Sequence, residues 1–256
     1  AAIHYCLQLS SNDINILQEL LKIDNTIINM ETKDSNRSTP LMIAFQKNKI
    51  DSALLLLQQP AIDVFCINKN QNSIVHLAAT QSRKDVIDEI LAKIKNSTNH
   101  DLQDIVEFIN IDNDEGETAL LIACKRNSIY FVRTLIDTFK DSLDFTICDN
   151  EGITPFVAAV KSKNNELINL LLRTVNCIST IDLTVPINED NDYIAHLMVM
   201  NSDLQNFKLL IEETSSNSSN LDIDFVNVQN KKGQSLITLT IQNNKYDFFE
   251  YICETQ

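Results

Sequence analysis

Apolar positions along the 256-residue chain fall in paired clusters, a short one followed by a longer one, with polar stretches between the pairs. Short clusters such as Leu41-Met42-Ile43-Ala44 and Ile74-Val75-His76-Leu77-Ala78-Ala79 contain a small Ala that permits close approach of a neighbour. The longer clusters are Leu54 to Leu57, Val86/Ile87/Ile90/Leu91, Phe131/Val132/Leu135/Ile136, Leu167/Ile168/Leu170/Leu171/Leu172 and Phe207/Leu209/Leu210/Ile211. Such clusters suit helices buried between neighbours, so each pair predicts a short first helix and a longer second one.

Glycine fixes the register. Gly116, Gly152 and Gly233 each stand two residues before the Thr or Ser that opens a short cluster. A turn that requires positive φ accepts Gly without the Cβ clash that costs other residues roughly 1 kcal/mol. The same register passes through Ala1, Thr39, Ser73, Thr118, Thr154, Tyr193 and Ser235, anchors 34 to 45 residues apart. A core of about 33 residues with variable insertions predicts a stacked, all-α solenoid. Its repeats approximate to 1–32, 33–66, 67–110, 111–147, 148–187, 188–228 and 229–256, read as one domain across 1–256. Within the insertions, Leu102, Ile105, Val106 and Ile109 predict an added helical turn. The Ser- and Asn-rich stretch 214–220 reads as a loop, and 175–187, with Pro186, as an extended linker. The first repeat lacks its turn and the last stops near the end of its second helix, so the chain reads as a fragment of a larger protein. Ile3, Leu7, Phe248, Phe249, Tyr251 and Ile252 lie in terminal helices, to be covered by flanking sequence or a partner unless several of them face inward.

Thr39-Pro40-Leu41 and Thr154-Pro155-Phe156 open two repeats, and His4, His76 and His196 each sit three places after an anchor. In these residues the chain resembles the ankyrin-repeat family, whose pattern is Thr-Pro-Leu-His-x-Ala, two antiparallel helices and a β-turn finger. The resemblance covers most of the chain and is weakest in the sixth repeat, with Tyr193-Ile194-Ala195, and the seventh, with Ser235-Leu236-Ile237-Thr238. It implies that the three histidines hydrogen-bond nearby backbone and hold the fingers. Pro40 and Pro155 suit the first turn of a helix, where a missing N–H loses no intrahelical partner.

Composition adds exclusions. Six cysteines without a CxxC spacing read as reduced core thiols. No apolar run approaches the ~20 residues that cross a bilayer, and no signal-peptide pattern opens the chain, which predicts an intracellular module of cytoplasm or nucleus without membrane insertion. Acidic residues outnumber basic ones 35 to 21, which argues against direct nucleic-acid binding. Each Gly is isolated, no HExxH or spaced Cys/His set occurs, and the register accounts for three of four histidines; His100, in an insertion, is expected to be solvated. The chain is therefore expected to have no catalytic residues, cofactor or metal.

The resemblance places binding on the finger tips and the exposed side of each first helix. Finger candidates for partner contact are Asp112, Asp114, Glu115 and Glu117 in the fourth repeat, Glu151 and Ile153 in the fifth, and Glu189, Asp190 and Asp192 in the sixth. Lys125, Arg126, Lys161 and Met200 come from first helices, whereas Met198 fits the core. The acidic fingers would steer a basic segment of another protein, unless they are ordinary solvated surface. The expected function is a non-catalytic protein-interaction scaffold. The alternative is a regulatory or substrate-recruiting domain of a multidomain enzyme, exchange factor or transcription regulator. Oligomeric state is not legible in the sequence.

Overall fold

The computed structural model describes residues 1–9, 14–183, 185–217 and 226–254. It divides into two compact units, Ala1–Leu143 and Asp144–Gln256. In the first unit, helices α1 (Ala2–Gln8) and α2 (Ile14–Ile23) form one pair, α3 (Pro40–Gln46) and α4 (Ile50–Leu57) a second, and α5 (Ile74–Ala79) and α6 (Lys84–Lys95) a third. An inserted helix, α7 (Leu102–Asn110), precedes the fourth pair, α8 (Ala119–Lys125) and α9 (Ile129–Phe139). First helices stack in the order α1, α3, α5, α8, and second helices in the order α2, α4, α6, α9. The second unit pairs α10 (Pro155–Ser162) with α11 (Asn165–Leu172), then, after the short α12 (Val175–Ile178), α13 (Ile194–Asn201) with α14 (Leu204–Asn217), and α15 (Leu236–Gln242) with α16 (Tyr246–Glu254). There α10, α13 and α15 stack in turn. Described residues include isolated antiparallel bridges at Ile67/Ser73 and Asp112/Thr118 but no extended strand.

The anchors are helix N-caps. Thr39, Thr118, Thr154 and Ser235 each accept, through the side-chain oxygen, from the backbone N–H three residues on, at 3.2–3.4 Å, and Ser73 accepts from Val75 N–H at 3.2 Å. Each bond satisfies a donor that the helix itself leaves unpaired. Pro40 and Pro155 stand directly after their caps. Ala44, Ala78, Ala123 and Ala159 are fully buried along the first helices, and Met198 takes the same place in α13. Phe131 on α9 and Phe207 on α14 are fully buried, and the Phe207 ring meets Phe248 and Tyr251 of α16. Polar side chains lock neighbouring pairs: Lys49 Nζ donates to the Cys6 carbonyl, Ser128 Oγ to Ala79 and Asn201 Nδ2 to Val160, at 3.2, 3.0 and 2.7 Å.

The fingers share one closed turn. Five residues before its anchor, each finger carries Asp or Asn: Asp34, Asn68, Asn113, Asp149, Asn188 and Asn230. Oδ1 of Asn68, Asn113, Asp149 and Asn230 accepts from the backbone N–H two and four residues on, at 2.8–3.0 Å. The same four residues donate their own N–H to the carbonyl of the residue just before the anchor, at 3.0–3.2 Å. The turn puts the residue two before the anchor at positive φ. That residue is Gly116, Gly152 or Gly233 in three fingers, but Arg37, Gln71 and Asn191 in the others, at φ 49°, 58° and 57°.

Several expectations need correction. Residues 175–187 are not an extended linker: α12 opens the segment, and Cys177, Ile178 and Leu183 are buried. The expected loop at 214–220 begins as helix, since α14 runs to Asn217, while 218–220 lie outside the described residues. In α7, Ile105 and Ile109 are buried as expected, but Leu102 is 73% exposed. Cys6, Cys124 and Cys177 are core thiols, whereas Cys148 and Cys253 are exposed. Of the terminal apolar residues, Ile3, Leu7, Phe248 and Ile252 face inward.

The finger geometry makes a stability prediction. Nothing lies within 4 Å of a Cβ built on Gly152, so a substitution there is strained by its φ of +77° rather than by crowding. Gly152→Val is expected to cost on the order of 1–2 kcal/mol in denaturant unfolding, and Gln71→Gly to gain several tenths, because the strain is relieved where Gln now bears it. Gln46→Ala, on an exposed helix face, is expected to stay within about 0.5 kcal/mol. Equal midpoints for all three would contradict the shared turn.

Candidate functional site

The fourth finger and the first helices beside it enclose a groove of about 370 Å³ in the first unit. Its lining includes Leu77 from α5, the largely buried Ile122 from α8, and Thr80, Glu115, Glu117, Lys125 and Arg126. Two backbone bonds align the fingers there: Lys69 N–H donates to the Asn36 carbonyl and Asp114 N–H to the Asn70 carbonyl, at 3.0 and 3.2 Å. Asn113 Nδ2 also reaches Asn72 Oδ1, at 3.1 Å.

His76 ties this finger to the helices. Its Nδ1 accepts from Ser73 N–H at 3.1 Å, which leaves Nε2–H to donate to the Glu117 carbonyl at 3.0 Å. The Glu117 carbonyl thereby accepts from both His76 and the Asn113 N–H. In the second unit His196 repeats the contact, donating from Nε2 to the Gln234 carbonyl at 3.1 Å. Its anchor, however, is Tyr193, which supplies no side-chain cap, and the buried Nδ1 of His196 is left without a partner. The Tyr193 and His196 rings lie 5.4 Å apart instead. His4 donates to the Met30 carbonyl at 2.7 Å, so all three repeat histidines hold backbone. Burial is the largest influence on each and holds its pKa below the ordinary 6.5, against the opposing pull of the carbonyl bond. His100 is not simply solvated: its ring stacks on Phe65 at 3.7 Å and its Nδ1 lies 3.0 Å from Ser97 Oγ.

The candidate contact residues separate by position. In the first unit Asp112, Asp114, Glu115, Lys125 and Arg126 are exposed, and Glu117 is half-buried and paired with Lys125 at 2.6 Å. Among the described residues no ion pair engages the side chain of Glu115 or Arg126. In the second unit Glu151, Lys161, Glu189 and Asp190 are exposed, and Met200 is 41% exposed on α13. Ile153 and Asp192 are corrections: at 5% and 8% exposure they offer no side chain to a partner. Both occupy the place just before the anchor, which closes the finger. Ile153 gives its N–H and its carbonyl to Asp149, and Asp192 accepts from Asn188 and Asn230 at 2.9 and 2.8 Å. Ser38, at the same place in its finger, is 2% exposed. Among the described residues no cluster of three His, Cys, Asp or Glu side chains could hold a metal ion, and no helix is long and apolar enough to cross a membrane.

The family model for ankyrin repeats, three copies, matches residues 3–104 and 94–184, and the chain belongs to the ankyrin-repeat family. An ankyrin repeat protein of Fowlpox virus (strain NVSL) is 31% identical over 173 residues, which is 64% of this chain and 45% of that protein. The human transient receptor potential cation channel subfamily A member 1 is 24% identical over 82% of this chain and 17% of its own length. The chain thus spans under half the length of either relative. Among solved structures, an ankyrin repeat domain from Acinetobacter baumannii AYE superposes with a TM-score of 0.59 at 19% identity, over 83% of this chain and 97% of that one. The ankyrin repeat domain of Bcl-3, a member of the IkappaB family, gives 0.58 at 14% identity, over 93% of each. Repeats of this family generally mediate protein–protein interaction.

The histidines predict a pH dependence. Their folded pKa values lie below the unfolded value near 6.5, so below that pH the unfolded chain takes up protons that the folded chain resists. Their linkage to stability should be flat above about pH 7 and destabilising as pH falls through 6.5 toward the folded values. His76→Gln should weaken the fall between pH 6.5 and 5 relative to wild type, as read by denaturant midpoints; parallel curves would contradict a buried neutral His76. Tyr193→Ser should raise stability by roughly 1 kcal/mol, because it restores an N-cap acceptor and gives His196 Nδ1 a donor. A loss in the same unfolding experiment would show that the Tyr193 ring contributes more than the cap.

Proposed function

We propose that this chain is a non-catalytic protein-binding module, and that the groove beside the fourth finger receives a segment of a partner protein. One observation carries the reading: the half-buried Leu77 and the exposed charges of Glu115 and Arg126 line one groove, on a backbone already closed by Asn113 and His76. Those two charges have no evident part in closing the finger or filling the core, so they can vary and be used for recognition. Preformed backbone means that little ordering is needed when a partner binds.

The net charge of −14 supports a protein partner over nucleic acid, since phosphate contacts need a basic face. Exposed Glu189 and Asp190 give the second unit its own acidic finger, on which Lys231 N–H aligns the next by donating to the Asp190 carbonyl at 2.8 Å. Recruitment of a partner to a neighbouring catalytic or transcriptional domain would use the same surfaces and differ only in what else the polypeptide carries.

Affinity capture from native extract, read by mass spectrometry, tests the reading. The paired reversal Asp114→Lys/Glu115→Lys should remove a reproducible partner while circular dichroism and melting stay as in wild type, and Glu189→Lys/Asp190→Lys should be scored separately. Full retention of every partner by the first pair would count against the groove.

A further inference from the structure

The groove is of mixed charge, although the fourth finger beside it is acidic. Glu117 and Lys125, both in its lining, pair at 2.6 Å with side-chain exposures of 15% and 35%, so that pair neutralises itself. Thr80 donates its hydroxyl to the Leu77 carbonyl at 2.7 Å, Asn113 is engaged with Asn72 and with its own finger, and His76 is buried and bonded through both nitrogens. What remains for a ligand is a carboxylate on the finger, a guanidinium on the helix side, and the half-buried Leu77.

Resting on the binding role of this groove, we infer that its partner segment carries charge of both signs: a Lys or Arg side chain for Glu115, an Asp or Glu side chain for Arg126, and an apolar side chain set on Leu77. A uniformly basic segment meets repulsion from Arg126, and a uniformly acidic one meets it from Glu115 and the neighbouring Asp112 and Asp114. Opposite charges, one on the finger and one at the end of the first helix, therefore select a mixed sequence and fix its direction, which is specificity by exclusion as well as by attraction. Guanidinium favours a carboxylate over a carbonyl because it can offer two parallel N–H donors.

The test is selection of random dodecapeptides displayed on phage against the whole 256-residue chain, followed by fluorescence anisotropy with the enriched peptides. Peptides displaced by Thr80→Arg, which fills the groove, should contain both a basic and an acidic residue. Arg126→Glu should weaken them about tenfold and regain binding when the peptide's acidic residue is changed to Lys. Glu115→Arg should weaken them similarly and regain binding when the basic residue is changed to Glu. Circular dichroism checks each variant, and NMR shift mapping at Leu77, Thr80 and Ile122 localises the peptide on wild-type protein if Thr80→Arg does not fold. Peptides that occupy the groove yet ignore both reversals would overturn the charge pattern and leave the groove standing. A selection with no peptide in the groove would overturn both.

Discussion

One side-chain oxygen per finger holds the surface of this protein in place. In Asn68, Asn113, Asp149 and Asn230 that oxygen gathers two backbone N–H groups of the following turn, while the same residue's N–H returns to the end of the finger. A turn projecting into solvent has little apolar burial to hold it, so its order must come from satisfied backbone donors. Closing the turn needs only the acceptor, so Asp149 can stand where Asn does, although the Nδ2 of Asn113, Asn188 and Asn230 also donates to a neighbouring side chain. The turn ends in a left-handed residue, and where that residue is not Gly the side-chain oxygen also offsets conformational strain.

Histidine connects the finger to the helices behind it. In the third repeat Ser73, His76 and Glu117 form a chain from helix cap to ring to finger carbonyl, with every group satisfied. The sixth repeat keeps the ring and the carbonyl but has Tyr193 in place of the cap, which leaves a buried nitrogen unpaired. A buried acceptor without a donor costs about 1–3 kcal/mol, so the sixth repeat is held by a weaker version of the same device. The proposed recognition surface inherits its rigidity from these bonds rather than from the residues that would touch a partner.

Much of the fold was legible because its signals are local. Thr39, Ser73, Thr118, Thr154 and Ser235 cap helices within three residues of themselves, and apolar spacing marks the second helices. The finger heads were missed although all are Asp or Asn five residues before an anchor, because Asn is abundant in this chain and glycine drew the register instead. Ile153 and Asp192 were placed at finger tips because sequence distance along the finger does not show which residue closes it. The pairing of Lys125 with Glu117 spans eight residues and a change of direction, a separation that no helical spacing rule covers; it alters the charge of the groove. Likewise His100 and Phe65 meet only after the insertion folds back.

Native-state hydrogen exchange of the fourth finger tests the central claim most directly. The Glu115 and Glu117 amides should be protected in the wild-type chain, exchange faster in Asn113→Ala, and regain protection in Asn113→Asp, with the amides of α6 and α9 unchanged throughout. Unaltered protection of Glu115 and Glu117 in Asn113→Ala would contradict the account, since the finger would then be held by something other than the side-chain oxygen at its head.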